Sequence, residues 1–384
     1  MARIDGGEML VRVLVQHGVR EVFTLHGGHL DAIYQAAGDR LRFIDTRHEQ
    51  AAGHAADGWA RTTGRLGVAI VTAGPGVTDV VTAVANAYLD AVPTLFLGGA
   101  APLRDAETLP LQGGLDQVAM LRPITKWAVR ITHTRRLPDL LAQAIRVATT
   151  GRPGPVFVEI PIDVLFARED EAKAVFPAPL TPTRPAPPDA AVQGAIAALA
   201  AAERPLILAG GGVWFSAAAD ALRAFAERTG IPVATNGKAH GTLPPEHPAC
   251  AGSVATIAAL ARTGTPPDTV LVLGARLGLF TGGRAAFSPP PATSSRSTSS
   301  PRRSVATITS ISPSAPTAAK PSWLSMPPRA PRPGPTAPVG RPPCTLRADS
   351  CGACSPERWK RRPRRSIRTG WRTRWPRRPG PTPS

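Results

Sequence analysis

Residues 41–61 read LRFIDTRHEQAAGHAADGWAR, and the fold is decided by how this stretch divides. LRFIDT alternates like a buried strand, whereas Ala51, Ala52, Ala55, Ala56 and Ala60 favour helix. Glu49 therefore stands where a strand hands over to a helix. In a parallel α/β sheet that handover lies at the carboxyl edge, where ligands usually bind, so an acid there is a candidate functional group. A Glu in the first helical turn also complements the helix dipole and the free amides, so position alone leaves both readings open.

The same alternation extends to either side. DGGEMLVRVLVQHG reads as a helix closed by Gly18, EVFTLHGG as a strand leaving into a glycine turn, and LDAIYQAAG as a helix. After Glu49's helix come the strand LGVAIVTAGPG, the helix VTDVVTAVANAYLD and the strand TLFLGGAA, then the helix LPDLLAQAIRVATT and the strand GPVFVEIPIDV. Repeated strand-then-helix order with near-continuous apolar strands implies α/β, a parallel sheet covered on both faces as a three-layer domain over residues 1–168. Residues 169–188 form a linker, because FPAPLTPTRPAPPD at 176–189 carries six prolines and continues neither helix nor central strand. A second, partial α/β domain is expected over 189–284, with strands in PLILAGGG, IPVATN and DTVLVLGARLG and helices between them.

The net charge of +18 suggests a nucleic-acid binder until the chain is split. Residues 1–284 carry 26 Lys and Arg against 25 Asp and Glu, whereas residues 285–384 carry 19 against 2. That last segment also holds 21 of the 43 prolines and three of the four cysteines, and it shows neither helical nor strand period. It is expected to be a low-complexity, disordered basic tail. Arg, Pro, Ser, Trp and Cys together are also what a G+C-rich gene yields out of frame. Because the switch falls inside a βα unit instead of at a linker, a shifted reading frame is favoured over a selected tail. Specific nucleic-acid recognition is not expected, since any polycation binds phosphates without specificity. No basic leader with an apolar core opens the chain and no charge-free run of eighteen apolar residues occurs, which argues against export and membrane insertion and for the cytoplasm.

Several motifs carry little alone. The turn at Gly74, Pro75 and Gly76 ends a strand and starts a helix, so amides there could hold a polar ligand, but Asp79 stands where a dinucleotide fingerprint needs its third glycine. Gly210, Gly211 and Gly212 lack the further glycine at Phe215. HEQAAGH is not a zinc helix, because Ala52 occupies the second histidine's place and His54 lies off the required face. No metal ligand is expected. The CxxC at Cys351 and Cys354 has no second pair.

In order, GGHL, RHEQAAGHAADGWAR, VTAGPGVTDVVTAVANAYLDAVPTLFLGGAA, LQGGLDQVAMLRPITKW and GRPGPVFVEIPIDV closely resemble the pyrimidine-binding domain of thiamine diphosphate enzymes of the acetolactate synthase group. ERPLILAGGGV and LVLGARLGLFTGG are similar to the first half of that group's central domain, and LQGGLDQ with RPITKW also resembles its 2-hydroxyacyl-CoA lyase branch. The resemblance implies that Glu49 hydrogen-bonds the aminopyrimidine N1′ of the cofactor and favours the imino tautomer that generates the ylide. It implies Gly28 and Pro75 along the pyrimidine pocket, Gln112 reaching toward substrate, and Lys126 near the substrate approach. Asp79 stands where many relatives have asparagine, and His26 replaces a common proline.

The implied reaction is decarboxylation of a 2-oxo acid followed by carboligation, or cleavage of a 2-hydroxyacyl-CoA. The implied assembly is a homo-oligomer or a pairing with a full-length homologous subunit. In the family a third domain holds the diphosphate through Mg²⁺ at a GDG motif, and no GDG occurs in this sequence, so little activity is expected of the chain alone. The resemblance leaves FAD at the central domain open. A central domain cut after three strands is also expected to leave an open sheet edge, prone to association.

Overall fold

The computed structural model describes residues 2–105, 108, 110–180, 186–262, 266–276 and 304–308. The first lobe runs β1 (Arg3–Asp5), α1 (Gly6–Gln16), β2 (Glu21–Thr24), α2 (Asp31–Ala37), β3 (Arg42–Asp45), α3 (Glu49–Thr63), β4 (Gly67–Val71) and α4 (Pro75–Asp90). It continues with β5 (Thr94–Ala100), α5 (Gln117–Leu121), β6 (Trp127–Arg130), α6 (Leu137–Thr149), β7 (Val156–Pro161), α7 (Ile162–Phe166) and β8 (Arg168–Asp170). Six of these strands form one parallel sheet in the order β3-β2-β4-β5-β7-β6, as the strand-then-helix alternation requires.

Alternate residues of each buried strand feed opposite layers. Val68, Ile70, Leu95, Leu97, Val156 and Val158 pack with α1 and α6, whereas Ala69, Val71, Phe96 and Phe157 pack under α3 and α4. The alanines of α3 have a packing reason as well as a propensity. Ala52, Ala56 and Ala60 are fully buried, and a side chain added at Gly67 would lie 2.0 Å from the Ala56 carbonyl, so helix and sheet meet at backbone distance. Helix α4 starts two residues before the expected Val77, because Pro75 has the fixed φ that suits a first helical position. The antiparallel ribbon of β1 and β8 has no alternation long enough to read from sequence.

The second lobe contains α8 (Asp189–Ala201), β9 (Pro205–Ala209), α9 (Gly211–Phe215), α10 (Ala219–Thr229), β10 (Val233–Thr235), β11 (Cys250–Ser253), α11 (Ala255–Arg262), β12 (Thr269–Leu273) and β13 (Ser304–Ile308). Its sheet is parallel with the order β11-β10-β9-β12-β13. The expectation of three strands is therefore corrected to five among the described residues, with β11 and β13 as the edge strands. CAGS lacks the apolar run that marks a buried strand, and SVATI lies beyond Arg284 in the segment expected to have no period, yet it pairs along all of β12. The remainder of the tail, including Cys351 and Cys354, lies outside the described residues. Within the described residues no helix is long and apolar enough to cross a membrane.

Candidate active site

The order of the first sheet fixes where a ligand can sit. The chain leaves β2 for β3 on one side and then crosses to β4 on the other, so the loops after β2 and β4 diverge and open a crevice at the carboxyl ends of the strands. One wall is Gly27–Leu30. The other is Thr72–Gly76. A side chain at Gly27 would lie 2.3 Å from Thr72 Cβ, so the two walls touch at their base.

Glu49 enters beside this crevice from the first turn of α3. His48 caps that helix, its Nδ1 accepting the Gln50 amide at 3.1 Å, which sets the strand-to-helix turn and carries Glu49 inward. The Glu49 residue is 8% exposed, and among the described residues its carboxylate has no hydrogen bond or ion pair. A largely buried acid with no partner among the described residues is placed to take one from a ligand in the crevice. A side chain at Gly76 would come 3.3 Å from Glu49 Oε1, which places the acid directly against the glycine turn of α4.

Most of the expected site residues converge here. Gly28 is exposed, with open space where a side chain would project. Pro75 is exposed at the start of α4, and Gln112, at φ +59°, lies against Gly74, whose added Cβ would be 3.0 Å from Gln112 Cβ. Asp79 is one turn along α4, with Oδ2 3.7 Å from His48 Nε2. The side chains of His26, which replaces a common proline, and Lys126 are engaged outside this group. His26 Nε2 is 2.9 Å from Asp31 Oδ1 and its ring lies on Tyr34, while Lys126 Nζ donates to the Val147 carbonyl and, at 2.8 Å, to that of Thr150, closing the end of α6.

His29 is a neighbour the sequence reading passed over. Its Nδ1 is 3.4 Å from Thr72 Oγ1 and its ring bonds to the Leu111 backbone, while burial pushes its pKa down. The uncharged imidazole is thereby favoured between the two loops that carry Gly28 and Gln112.

His48, Glu49 and Asp79 bring ligand atoms within 4.8 Å of one another. They fit a metal ion poorly. With Nδ1 accepting the Gln50 amide, neutral His48 carries its proton on Nε2, the atom that faces Asp79, and a protonated nitrogen cannot ligate. An aminopyrimidine fits better, because its ring nitrogen and exocyclic amine offer hydrogen-bonding partners of the kind that a lone buried carboxyl lacks. The glycine turn of the second lobe is less accommodating. Gly210 and Gly212 donate their amides at 2.8 and 2.9 Å to the Leu273 and Gly274 carbonyls, which leaves little there for the phosphates of FAD.

Comparison with known proteins agrees with this geometry. Residues 4–120 match the N-terminal TPP binding domain of thiamine pyrophosphate enzymes, and residues 192–302 match the central domain of the same enzymes, together more than half of the chain. A probable acetolactate synthase large subunit of Methanocaldococcus jannaschii is 38% identical over 260 residues, 65% of this chain and 43% of the relative. A probable 2-ketoarginine decarboxylase of Pseudomonas aeruginosa is 38% identical over 282 residues, 71% of this chain and 49% of the relative. Human 2-hydroxyacyl-CoA lyase 2 is 37% identical over 278 residues, 63% of this chain and 44% of the relative. The chain thus spans less than half the length of these curated relatives. With both of these domains matched in order, the chain belongs to the thiamine pyrophosphate enzyme family.

Proposed function

We propose that the crevice between the β2 and β4 loops holds the aminopyrimidine of thiamine diphosphate, with Glu49 as the acid that shares a proton with its ring nitrogen. The observation that carries this reading is the Glu49 carboxylate, 8% exposed and without a partner among the described residues. When bound, the cofactor supplies a nucleophilic carbon and an electron sink for breaking a bond beside a carbonyl. Glu49 holds the proton, Gly28 and Pro75 line the pocket, the Gly74–Gly76 turn keeps water from the acid, and Gln112 reaches toward substrate. Asp79 brings a second carboxylate where relatives have an amide, and it makes the rim of the pocket more acidic.

For the protein to which this chain corresponds, the reaction we favour is decarboxylation of a 2-oxo acid and ligation to a second carbonyl, in line with the acetolactate synthase relatives. The likeness to 2-hydroxyacyl-CoA lyase 2 supports C–C cleavage of a 2-hydroxyacyl thioester as the second reading. Mg²⁺ on the diphosphate, cytoplasmic location and assembly as a homo-oligomer, or with a full-length homologous subunit, complete the proposal. Because no GDG motif for the diphosphate occurs in the sequence, we expect the chain to bind cofactor but to turn over little by itself.

Calorimetric titration of the chain with thiamine tests the site. Wild type should bind, and Glu49→Ala should weaken binding by about tenfold or more, the order expected for losing one charge-assisted hydrogen bond. Equal affinity of the two would remove Glu49 from the site. Replacing the matching segment of the Corynebacterium glutamicum acetolactate synthase large subunit by residues 1–168, then offering pyruvate and a 2-hydroxyacyl-CoA, separates the two reactions.

A further inference from the structure

Beneath the glycine turn lies a buried polar chain that neither the sequence motifs nor the reaction accounts for. Glu159 is 0% exposed, in the middle of β7, and Gln117 is 3% exposed at the start of α5. Gln117 Nε2 donates to Glu159 Oε1 at 2.6 Å and to the Gly99 carbonyl at 3.0 Å, while its Oε1 accepts the Gly74 amide at 2.7 Å. Arg130, at the end of β6, donates through Nε to the other Glu159 oxygen.

Each link fixes the next. A carboxyl group with no exposure is costly unless it is paired, and Arg130 donates to the Glu159 oxygen that Gln117 does not use. The Gly99 carbonyl can only accept and the Gly74 amide can only donate, so with Glu159 Oε1 accepting beside Gly99 the Gln117 amine is held on that side and its carbonyl toward Gly74. Gly74 sits at φ +64°, ψ −111°, a conformation open to glycine, and its amide direction sets the entry of Pro75 and Gly76 into α4 beside Glu49. Asp116 anchors the start of the same helix by accepting the Ala119 amide at 2.9 Å, so Gln117 has little freedom to follow a moving turn.

We propose that Gln117 is a positioning residue that locks the Gly74–Pro75–Gly76 turn against Glu49, with the Arg130–Glu159 pair selecting the orientation of its amide. Its effect on cofactor binding rests on the reading of the crevice as the pyrimidine site, whereas its hold on Gly74 does not.

The test measures amide hydrogen exchange across residues 72–78, with thiamine affinity and thermal melting, on the full chain. Gln117→Met removes the acceptor for Gly74 and should raise exchange at that segment about tenfold or more, with thiamine affinity falling by a similar factor. Gln117→Glu alone sets two carboxylates together and should be worse. Adding Glu159→Gln to Gln117→Glu reverses the polarity of the 117–159 bond, keeps an acceptor for Gly74, and should restore slow exchange in part. That pair also decides the matter if Gln117→Met fails to fold. Exchange at 72–78 that is the same in wild type and the folded Gln117 variants would overturn the proposal, as would a double variant no better than Gln117→Glu. If wild type binds no thiamine while exchange responds as described, the pyrimidine reading fails and the positioning role stands.

Discussion

The two sheets of this chain share a design and differ in chemistry at the same place. Both are parallel, and both leave their carboxyl edge through a glycine turn, at Gly74–Gly76 in the first lobe and Gly210–Gly212 in the second. In the second, Gly210 and Gly212 donate to carbonyls of the strand end and bend beside them, and the edge closes on itself. In the first, the Gly74 amide is taken by a side chain brought from α5, and the largely buried Glu49 carboxylate has no partner among the described residues. A glycine turn at a sheet edge is thus not a site by itself. What makes the first one a candidate is a largely buried acid that no described residue satisfies.

Substitutions can widen or erase that contrast. Gly67→Ala should have the largest effect on stability, because its methyl would lie 2.0 Å from the Ala56 carbonyl and force α3 off the sheet. About 3 kcal/mol of destabilisation is expected by chemical denaturation, with loss of thiamine binding since α3 carries Glu49. Gly212→Ala should cost about 2 kcal/mol, its methyl meeting Gly274 Cα at 2.6 Å, yet leave thiamine affinity unchanged. Reduced affinity in that variant would mean that the lobes are less independent than their separate cores imply.

Lys238→Ala comes next. Lys238 in the second lobe reaches Asp90 Oδ1 at 3.1 Å at the end of α4, and Arg61 meets Oδ2 of the same residue at 2.8 Å. Since Asp90 is partly exposed, solvent screens the pair and the loss should be under about 1 kcal/mol, visible as a small drop in melting temperature.

The smallest effect concerns pH. Arg40 above all, with Arg12, holds Glu8 below its ordinary 4.5 against the opposing effect of burial. A depressed carboxyl stabilises the fold above its unfolded pKa, and that stability is lost as pH falls through the lower folded value. Below about pH 4.5 the first lobe should therefore lose stability faster in wild type than in Glu8→Gln, by melting followed along the pH axis.

Much of this contrast was legible beforehand. Period places Glu49 and the two glycine turns at strand ends, whereas the pocket roles of Gly28 and Pro75 come from the family resemblance. Gln112 was reached only through family resemblance, because a glutamine in a loop has no periodic signal. Gln117 closes the same LQGGLDQ segment five residues on and carries no periodic signal either. Glu159 offered a signal that went unused, a carboxylate inside the unbroken apolar strand VFVEIP, where burial demands a cation and a donor. Lys126, near the substrate approach by resemblance, is held by the carbonyls at the end of α6, as a residue with no periodic signal toward the site can be. Strand β11 has no apolar run and β13 lies where composition argued against order, so neither could be read from pattern.

The central claim is that Glu49 shares a proton with the cofactor's pyrimidine ring. It is tested most directly by following deuterium exchange at the thiazolium C2 of thiamine diphosphate in the chimera that carries residues 1–168. The account predicts rapid exchange in the chimera and a fall of about 10²-fold or more with Glu49→Gln, the usual scale of acid–base assistance. Exchange in Glu49→Gln as fast as in the unsubstituted chimera would contradict it.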